Sequence, residues 1–331
     1  MTMQLSNRTK FISVGVLFIL LLLMFGQYSS TFLTIDNESL KSENPISETP
    51  VNYGTGGFSK NIIMSISMAN TSEKILVYRT IPHQYTRQDI ITSAGKFNIN
   101  TSGRIKESPE GSSIASGDGT IYLIMKNSGS IEYTNSNRAH TVNPLDIPEN
   151  LPSDEDAERI ASNFLKERDL LPADAICIGT EHERAYRLGN DGKDVVIWED
   201  VNVWYGRLLN GYKVTGSQLS IAIGGNGDII DYYRNWREYE PYQEMPVKTP
   251  EMAFEDLKNK GVAVGMNKPD KVTISDMYLA YRTKPGAETE EYLEPVWVFK
   301  GDVIADNKSV MPVNAYIPAL TNDAVKSLSL E

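Results

Sequence analysis

The stretch Leu219-Ser-Ile-Ala-Ile-Gly-Gly-Asn-Gly-Asp-Ile-Ile-Asp-Tyr-Tyr233 decides the fold. In its first arm, residues 219–223, large apolar side chains alternate with the small side chains of Ser220 and Ala222, as expected for a strand with one buried face. Asn226-Gly227 separates the two arms, and both residues tolerate the positive φ angles that a tight hairpin turn requires. The stretch therefore predicts a β-hairpin.

A second hairpin with the same design lies upstream. Ile121-Tyr-Leu-Ile-Met125 leads into Lys126-Asn-Ser-Gly129 and returns as Ser130-Ile-Glu-Tyr133. When the two turn glycines, Gly129 and Gly227, are superposed, Ile131 matches Ile229. This match indicates an internal structural repeat.

Three helix starts accompany the hairpins. Thr86, Ser153 and Thr249 each precede acidic residues and an apolar periodic stretch. A hydroxyl at this position can accept a hydrogen bond from a free amide of the first turn, and the acids suit the positive end of the helix dipole. Pro250 follows Thr249 at the first helical position, where its missing N–H costs nothing.

Together these patterns predict an α+β fold of repeated units, each with one helix packed on an antiparallel sheet, preceded by a transmembrane helix. The predicted boundaries are 1–28 for a cytoplasmic tip and signal anchor, 29–60 for a flexible linker, 61–148 for a first unit, 149–245 for a second and 246–331 for a third. Two units rather than three remain an alternative.

The amino terminus has the pattern of a membrane anchor. Arg8 and Lys10 precede residues 11–25, which carry no charge, and basic residues before an apolar segment place the amino terminus in the cytoplasm. The pattern predicts a single-pass protein of the cell membrane with its carboxyl-terminal part outside. Secretion after signal cleavage is the alternative. Four sequons are candidates for N-glycosylation on that side, at Asn37, Asn70, Asn100 and Asn307.

Composition excludes several classes of protein. The 331 residues carry a net charge of −11, which does not suit nucleic-acid binding, and contain one cysteine and three histidines. The cysteine, Cys177, lies in an apolar run and is expected to be buried. His182-Glu183 begins like a zinc-protease motif, but Tyr186 stands where the second histidine is needed. No catalytic, cofactor-binding or metal-binding residue is assigned, and no cofactor is expected.

Aromatic residues are dense between residues 198 and 242. Strand alternation buries about half of such rings, and the others can serve as contacts for a partner. The candidates for partner binding are Trp204, Tyr205, Tyr232 and Trp236. Packing in the core is the alternative role for these rings, and an extended peptide could instead add to an exposed sheet edge.

The string from Arg207 to Trp236 resembles the PepSY-type module, with its pattern Arg-x-x-Asn-Gly-x-x-Val-x-Gly, a hairpin and a closing aromatic strand. The likeness is clearest over 150–245 and fainter over 75–140. This module is found in propeptides of thermolysin-type proteases and in membrane-anchored proteins of the YycH/YycI-like and YcdB-like groups. The resemblance implies no catalytic residues.

These observations predict a non-enzymatic, membrane-anchored extracytoplasmic protein that binds a protein or peptide partner in the envelope and modulates a protease or a membrane sensor. Two alternatives remain open, a structural component of the envelope or surface and a hydrolase with an unrecognised carboxylate site. The expected contacts are a protein or peptide partner and the membrane, with no nucleic acid.

Overall fold

A computed structural model describes residues 58–67, 72–99, 101, 105–115, 119–135, 150–189, 192–264 and 269–328. About half of these residues lie in strands and about a fifth in helices. The strands form one continuous sheet of 15 strands, whose two parts we call sheet I and sheet II, together with a small ribbon in which β1 (Phe58–Ser59) pairs with β14 (Val262–Ala263).

Sheet I is antiparallel and takes eight strands from the middle of the chain. Their spatial order is β4-β5-β6-β7-β12-β11-β9-β8. Their bounds are β4 Ile105–Glu107, β5 Gly111–Ala115, β6 Thr120–Met125, β7 Ile131–Asn135, β8 Ala175–Leu188, β9 Asp194–Leu209, β11 Gln218–Ile223 and β12 Ile229–Asn235.

Sheet II is mixed and combines strands from both ends of the described chain. Its central strands β15 and β16 pair antiparallel; β3 and β17 pair with β16, β13 pairs with β3, and β2 and β10 run parallel to β15. Their bounds are β2 Ile62–Met64, β3 Lys74–Thr80, β10 Tyr212–Thr215, β13 Tyr239–Pro246, β15 Lys271–Arg282, β16 Tyr292–Ala305 and β17 Lys308–Pro318.

Four helices lie in the described part of the chain: α1 Arg87–Gly95, α2 Asp154–Glu167, α3 Pro250–Lys260 and α4 Asn322–Leu328. The three predicted helix starts are confirmed. Thr86, Ser153 and Thr249 each accept a hydrogen bond from the backbone N–H three residues later, which satisfies one of the free donors of the first turn.

Each sheet has its own apolar core. On sheet I, Ile90 of α1 and Leu165 of α2 pack with Tyr122, Leu219 and Tyr232 of the strands. The core of sheet II joins α3 and α4 to the buried faces of β15, β16 and β17. Its largest side chains include Phe254, Tyr281, Trp297 and Phe299. The four described helices therefore cover one face of each sheet.

The predicted fold class, repeated units of one helix on an antiparallel sheet, is wrong. Helices α1 and α2 share one core on one sheet, so the fold is dominated by its sheets. The reason lies in long-range strand pairing, such as Tyr133 of β7 with Tyr232 of β12, which local periodicity does not encode. The domain boundaries remain a prediction.

Membrane localisation was the second expectation to fail. Among the described residues, no helix has the length and apolar character needed to cross a bilayer, which contradicts the predicted single-pass anchor and membrane localisation. The segment on which that prediction depended, residues 11–25, lies outside the described residues.

Both predicted hairpins are confirmed. β6 pairs with β7, and β11 pairs with β12. At the turn of the second hairpin Asn226 has φ 60° and Gly227 has φ 80°, so both central residues adopt the left-handed conformation that the Asn-Gly pair predicted.

The chain passes from one sheet to the other at Gly216. β10 pairs with the end of β9 and runs parallel to the end of β15, whereas β11, two residues later, belongs to sheet I. Gly216 has φ +83°, and a Cβ atom there would lie 3.0 Å from the carbonyl oxygen of Thr283. Glycine is therefore required by both conformation and space.

A buried arginine occupies the junction between the sheets. Arg237, between β12 and β13, donates to the carbonyl oxygens of Lys284, Pro285 and Glu288 at 2.6, 2.9 and 2.7 Å. Its Nε lies 4.0 Å from Oε1 of Glu290, and the two side chains are only 2% and 1% exposed. The guanidinium thus ties the segment between β15 and β16 to the end of sheet I.

Glu290, the acidic partner of Arg237, accepts hydrogen bonds from further residues at the same junction. Its carboxylate accepts hydrogen bonds from the hydroxyl of Tyr239 at 2.7 Å, from Thr283 at 3.1 Å and from the backbone N–H of Lys284 at 2.5 Å. Tyr239 belongs to β13, so the carboxylate connects an outer strand of sheet II to the loop that Arg237 binds. Both buried charges therefore have a surrounding set of hydrogen-bond partners.

We expect Glu290→Ala to lower the free energy of unfolding by about 3–5 kcal/mol, because it leaves the Arg237 guanidinium buried without its counter-charge. The control is Glu107→Ala, which removes the exposed pair with Arg87 and is expected to cost less than about 1 kcal/mol. Urea denaturation monitored by tryptophan fluorescence measures both variants. Equal losses would show that the buried pair does not stabilise the junction.

Candidate functional site

Strand β8 is the outermost strand of sheet I. Among the described strands it pairs with β9 alone, so its other side carries backbone N–H and C=O groups that no described strand satisfies. A free edge of this kind is a template for the addition of another strand. At 14 residues, β8 is also long for an edge strand.

The other outer strands have features that protect them. β2 and β4 have three residues each, β13 contains Pro241 and Pro246, and β17 contains Pro312 and Pro318. Proline lacks the N–H that an added strand would need, and a very short strand offers few pairing positions. β8 contains no proline. It is therefore the outer strand best suited to accept a partner.

Two register shifts divide β8. One lies between Cys177 and Gly179, and the other between Ala185 and Tyr186. Between them, residues 179–185 pair with β9 in regular register. We call residues 179–185 the edge segment. Irregularities of this kind twist a strand and limit how far a new strand can pair with it, so the edge segment is the usable part of the edge.

The first register shift exposes an apolar patch. Ile178 is the extra residue of the bulge and is 63% exposed, and its side chain lies beside Gly206, where an added Cβ atom would approach it to 3.2 Å. Ile176 is 42% exposed and Leu208 is 39% exposed. These three side chains form what we call the isoleucine patch, next to the edge segment.

Cys177 is exposed, and the expectation that it is buried is wrong. The apolar run around it is typical of a buried strand, but at a sheet edge the same run is left open to solvent. Its neighbours Ile176 and Ile178 are exposed for the same reason.

Charges on the edge segment differ between its two faces. His182 and Arg184 both contact Glu199, at 3.1 and 2.7 Å, and His182 also reaches Asp154 at 3.2 Å. Glu181 and Glu183 alternate with them along the strand and lie on the other face. No cation of the described chain forms an ion pair with Glu181 or Glu183, so one face is neutralised and the other is not.

More carboxyl groups lie behind these two on the same face of sheet I. Asp200 of β9 pairs directly with Glu183, and Asp231 of β12 is close to both. Strand β11 lies between β9 and β12, and its small side chain Ala222 pairs with Asp231, so little side-chain volume separates Asp231 from the acids of β8 and β9. The last member, Glu132 of β7, lies next to Asp231.

Burial dominates the electrostatics of this acidic face. It raises the pKa of Asp200 to about 9, with smaller contributions from Glu183, Asp231 and Glu199. It also raises the pKa of Asp231 to about 6, against the hydrogen bond that Thr134 donates, and that of Glu132 to about 7. The pKa of Glu183 is raised by burial and then by the charges of Glu181 and Asp231. Each shift favours the protonated, neutral form of the carboxyl group, because burial disfavours its ionised form.

The acidic face does not have the geometry of a metal centre. Within the described ranges, no group of three or more His, Cys, Asp or Glu side chains is placed to hold a metal ion. The carboxyl groups that can carry negative charge at the open edge are instead those of Glu181 and Glu183, and such charge attracts cationic groups.

The four aromatic candidates are divided between the two faces of sheet I. Tyr205 and Tyr232 are buried in the core beneath the helices. Trp236 packs partly against that core and donates from Nε1 to Asp174 at 3.0 Å. Trp204 lies on the acidic face opposite Gly179, and its Nε1 has no hydrogen-bond partner. Of the four, Trp204 is the one placed beside the edge segment, and partner binding by these rings remains a prediction.

One glycosylation candidate can be located. Asn307 is exposed in the turn between β16 and β17, with φ 58°. The other three, Asn37, Asn70 and Asn100, lie outside the described residues.

The residues that build the edge site were missed as a group by sequence reasoning. Glu183 was considered only as part of an incomplete zinc motif, Glu181 was not singled out, and Ile178 lies in the apolar run that was expected to be buried. The sequence feature that could have identified the site is the run of charged and polar residues Glu-His-Glu-Arg at 181–184, which is typical of an edge strand.

Comparisons with known proteins leave the function open. No family model matches the chain, and no curated protein matches it. Among solved structures, the chain is similar to an uncharacterised protein from Eubacterium rectale ATCC 33656, solved at 1.45 Å resolution. The identity is 12%, the match covers 78% of this chain and 88% of that chain, and the TM-score is 0.43. These values carry no argument about function.

The acidic face predicts a definite dependence of stability on pH. A carboxyl group whose pKa is raised by folding contributes stability that is fully present below the unfolded pKa of about 4 and is lost as the pH rises through the folded pKa. For Asp200 this window extends from about pH 4 to about pH 9. We expect Asp200→Asn to remove this loss, so that the variant exceeds the wild type in stability by more than about 1 kcal/mol at high pH.

Urea denaturation at about pH 5, about pH 7 and about pH 9 measures the effect. The control is Asp89→Asn, because hydrogen bonds from Thr86 lower the pKa of Asp89 and its contribution is instead lost as the pH falls. If the difference between Asp200→Asn and the wild type did not grow with pH, the raised pKa of Asp200 would be refuted.

Proposed function

We propose that this chain is a non-enzymatic binding protein that takes up an extended segment of a protein or peptide partner at the edge segment of β8. The observation that carries the proposal is the long, proline-free outer strand, which no described strand covers. Strand addition of this kind gives affinity through main-chain hydrogen bonds and specificity through alternate side chains.

The geometry of the edge segment suits such an addition. Alternate residues of an antiparallel strand point their N–H and C=O groups away from the existing neighbour, so the outward-pointing residues of 179–185 offer pairs of donors and acceptors. The regular register between the two shifts keeps these groups in line. The added strand would extend sheet I without disturbing its core.

The isoleucine patch provides an anchor beside the hydrogen bonds. Ile176, Ile178 and Leu208 are exposed together at the end of the edge segment, and covering apolar surface is the main source of binding free energy. A partner that pairs with the edge segment reaches this patch with the residues that follow.

A hydrolase built on the acidic face has less support. Asp200, the carboxyl group whose pKa is raised furthest on this face, is 1% exposed. A catalytic acid has to come within hydrogen-bond reach of the group to which it gives its proton. The buried position of Asp200 therefore disfavours direct contact with a substrate.

The test is a selection of random peptides on the full chain by phage display, followed by amide hydrogen exchange with the selected peptides. We expect the selected peptides to slow exchange within residues 179–185, because they satisfy the outward-pointing N–H groups. Ile178→Asp is expected to weaken their binding about tenfold or more, since it places a charge in the isoleucine patch.

Met252→Asp is the matched control, because Met252 is exposed on α3 of sheet II and a charge there should leave binding unchanged. Protection confined to other parts of the chain, or equal effects of the two substitutions, would refute binding at the β8 edge.

A further inference from the structure

We infer that the partner segment is cationic, with two lysine or arginine side chains two residues apart that face Glu181 and Glu183. This inference rests on the proposed function, because it names the chemistry of the segment that the β8 edge accepts. It adds the requirement that the two cations lie on one face of the added strand.

The charges of the edge segment carry the inference. Glu181 and Glu183 are two residues apart and therefore share a face. The basic side chains of β8 in contact with acids, His182 and Arg184, lie on the opposite face and contact Glu199 and Asp154. A strand added at this edge thus meets two carboxylates that no cation of the described chain pairs with.

The buried part of the acidic face strengthens this preference. Asp200 lies directly opposite Glu183 on β9, and Asp231 lies close to both. A cation beside Glu183 opposes the rise in the pKa of that carboxyl group and favours its ionised form. Opposite charges on directly paired positions of neighbouring strands stabilise a sheet, and like charges destabilise it.

The same charges disfavour a second copy of this chain as the occupant. An antiparallel pairing of two copies centred on residue 181, 182 or 183 places one of these carboxylates opposite another from the second copy. The net charge of −11 adds a general repulsion between copies. Self-association at this edge is therefore disfavoured, whereas a cationic segment is attracted.

The spacing of the two cations does not depend on the direction of the added strand. In both parallel and antiparallel addition, side chains on one face recur at every second residue. Two lysines at positions i and i+2 can therefore face Glu181 and Glu183 in either direction, whereas two adjacent lysines point to opposite faces. This difference allows a test at constant net charge.

The experiment uses the full chain and three synthetic peptides of about ten residues, rich in threonine and valine, with a fluorescent label. The first has lysines at i and i+2, the second has the same lysines adjacent, and the third has glutamines at i and i+2. Fluorescence anisotropy measures their affinities at about 50 mM and about 500 mM salt, since screening weakens exposed charge pairs.

We expect the first peptide to bind about tenfold more tightly than the other two at low salt, and we expect this advantage to shrink at high salt. The double variant Glu181→Gln/Glu183→Gln is expected to lose the advantage while its affinity for the glutamine peptide stays the same. A second double variant, Glu181→Lys/Glu183→Lys, is expected to prefer a peptide with glutamates at i and i+2.

The outcomes separate the inference from the proposed function. Equal binding of all three peptides, with protection of residues 179–185 from exchange, would overturn the cationic partner and leave strand addition in place. Equal binding of the two lysine peptides would overturn the pairing with Glu181 and Glu183. Binding of the peptides without protection of residues 179–185 would overturn strand addition itself.

Discussion

The two sheets are held in one arrangement by the buried contact between Arg237 and Glu290. Removing both charges from water is costly, and the cost is offset only because each charge is surrounded by partners, three carbonyl oxygens and one hydroxyl for Arg237 and four donors for Glu290. These partners belong to β3, to β13 and to the segment between β15 and β16. The pair therefore fixes the direction in which the chain leaves sheet I for sheet II.

This junction determines which edge of sheet I stays free. β9 is paired on one side by β11 and, at its end, by β10, which runs parallel to β15 of sheet II. That side of β9 is thus occupied by the connection between the sheets. The other side carries β8, and beyond β8 no described strand follows. The exposed position of the edge segment is accordingly a consequence of the strand order.

Local structure was readable from the sequence, but its assembly was not. The caps at Thr86, Ser153 and Thr249 and the Asn226-Gly227 turn depend on a few adjacent residues, and all were predicted correctly. Pairing of β7 with β12, or of β3 with β16, joins distant segments whose patterns would suit other partners equally well. The exposure of Ile178 and the grouping of Glu183 with Asp200 follow from that pairing, so the candidate site could not be predicted.

The means by which the β8 edge is protected also point to its use. Proline in β13 and β17 removes donors and closes those edges to every partner alike. Charges and bulges in β8 act differently, because they leave the backbone N–H groups in place and discourage pairing only with strands of the wrong charge or register. An edge that had only to avoid aggregation would be served equally well by proline. On the proposed function, an edge that keeps its donors and carries two glutamates without a cationic partner among the described residues would admit strands of one charge class and reject others.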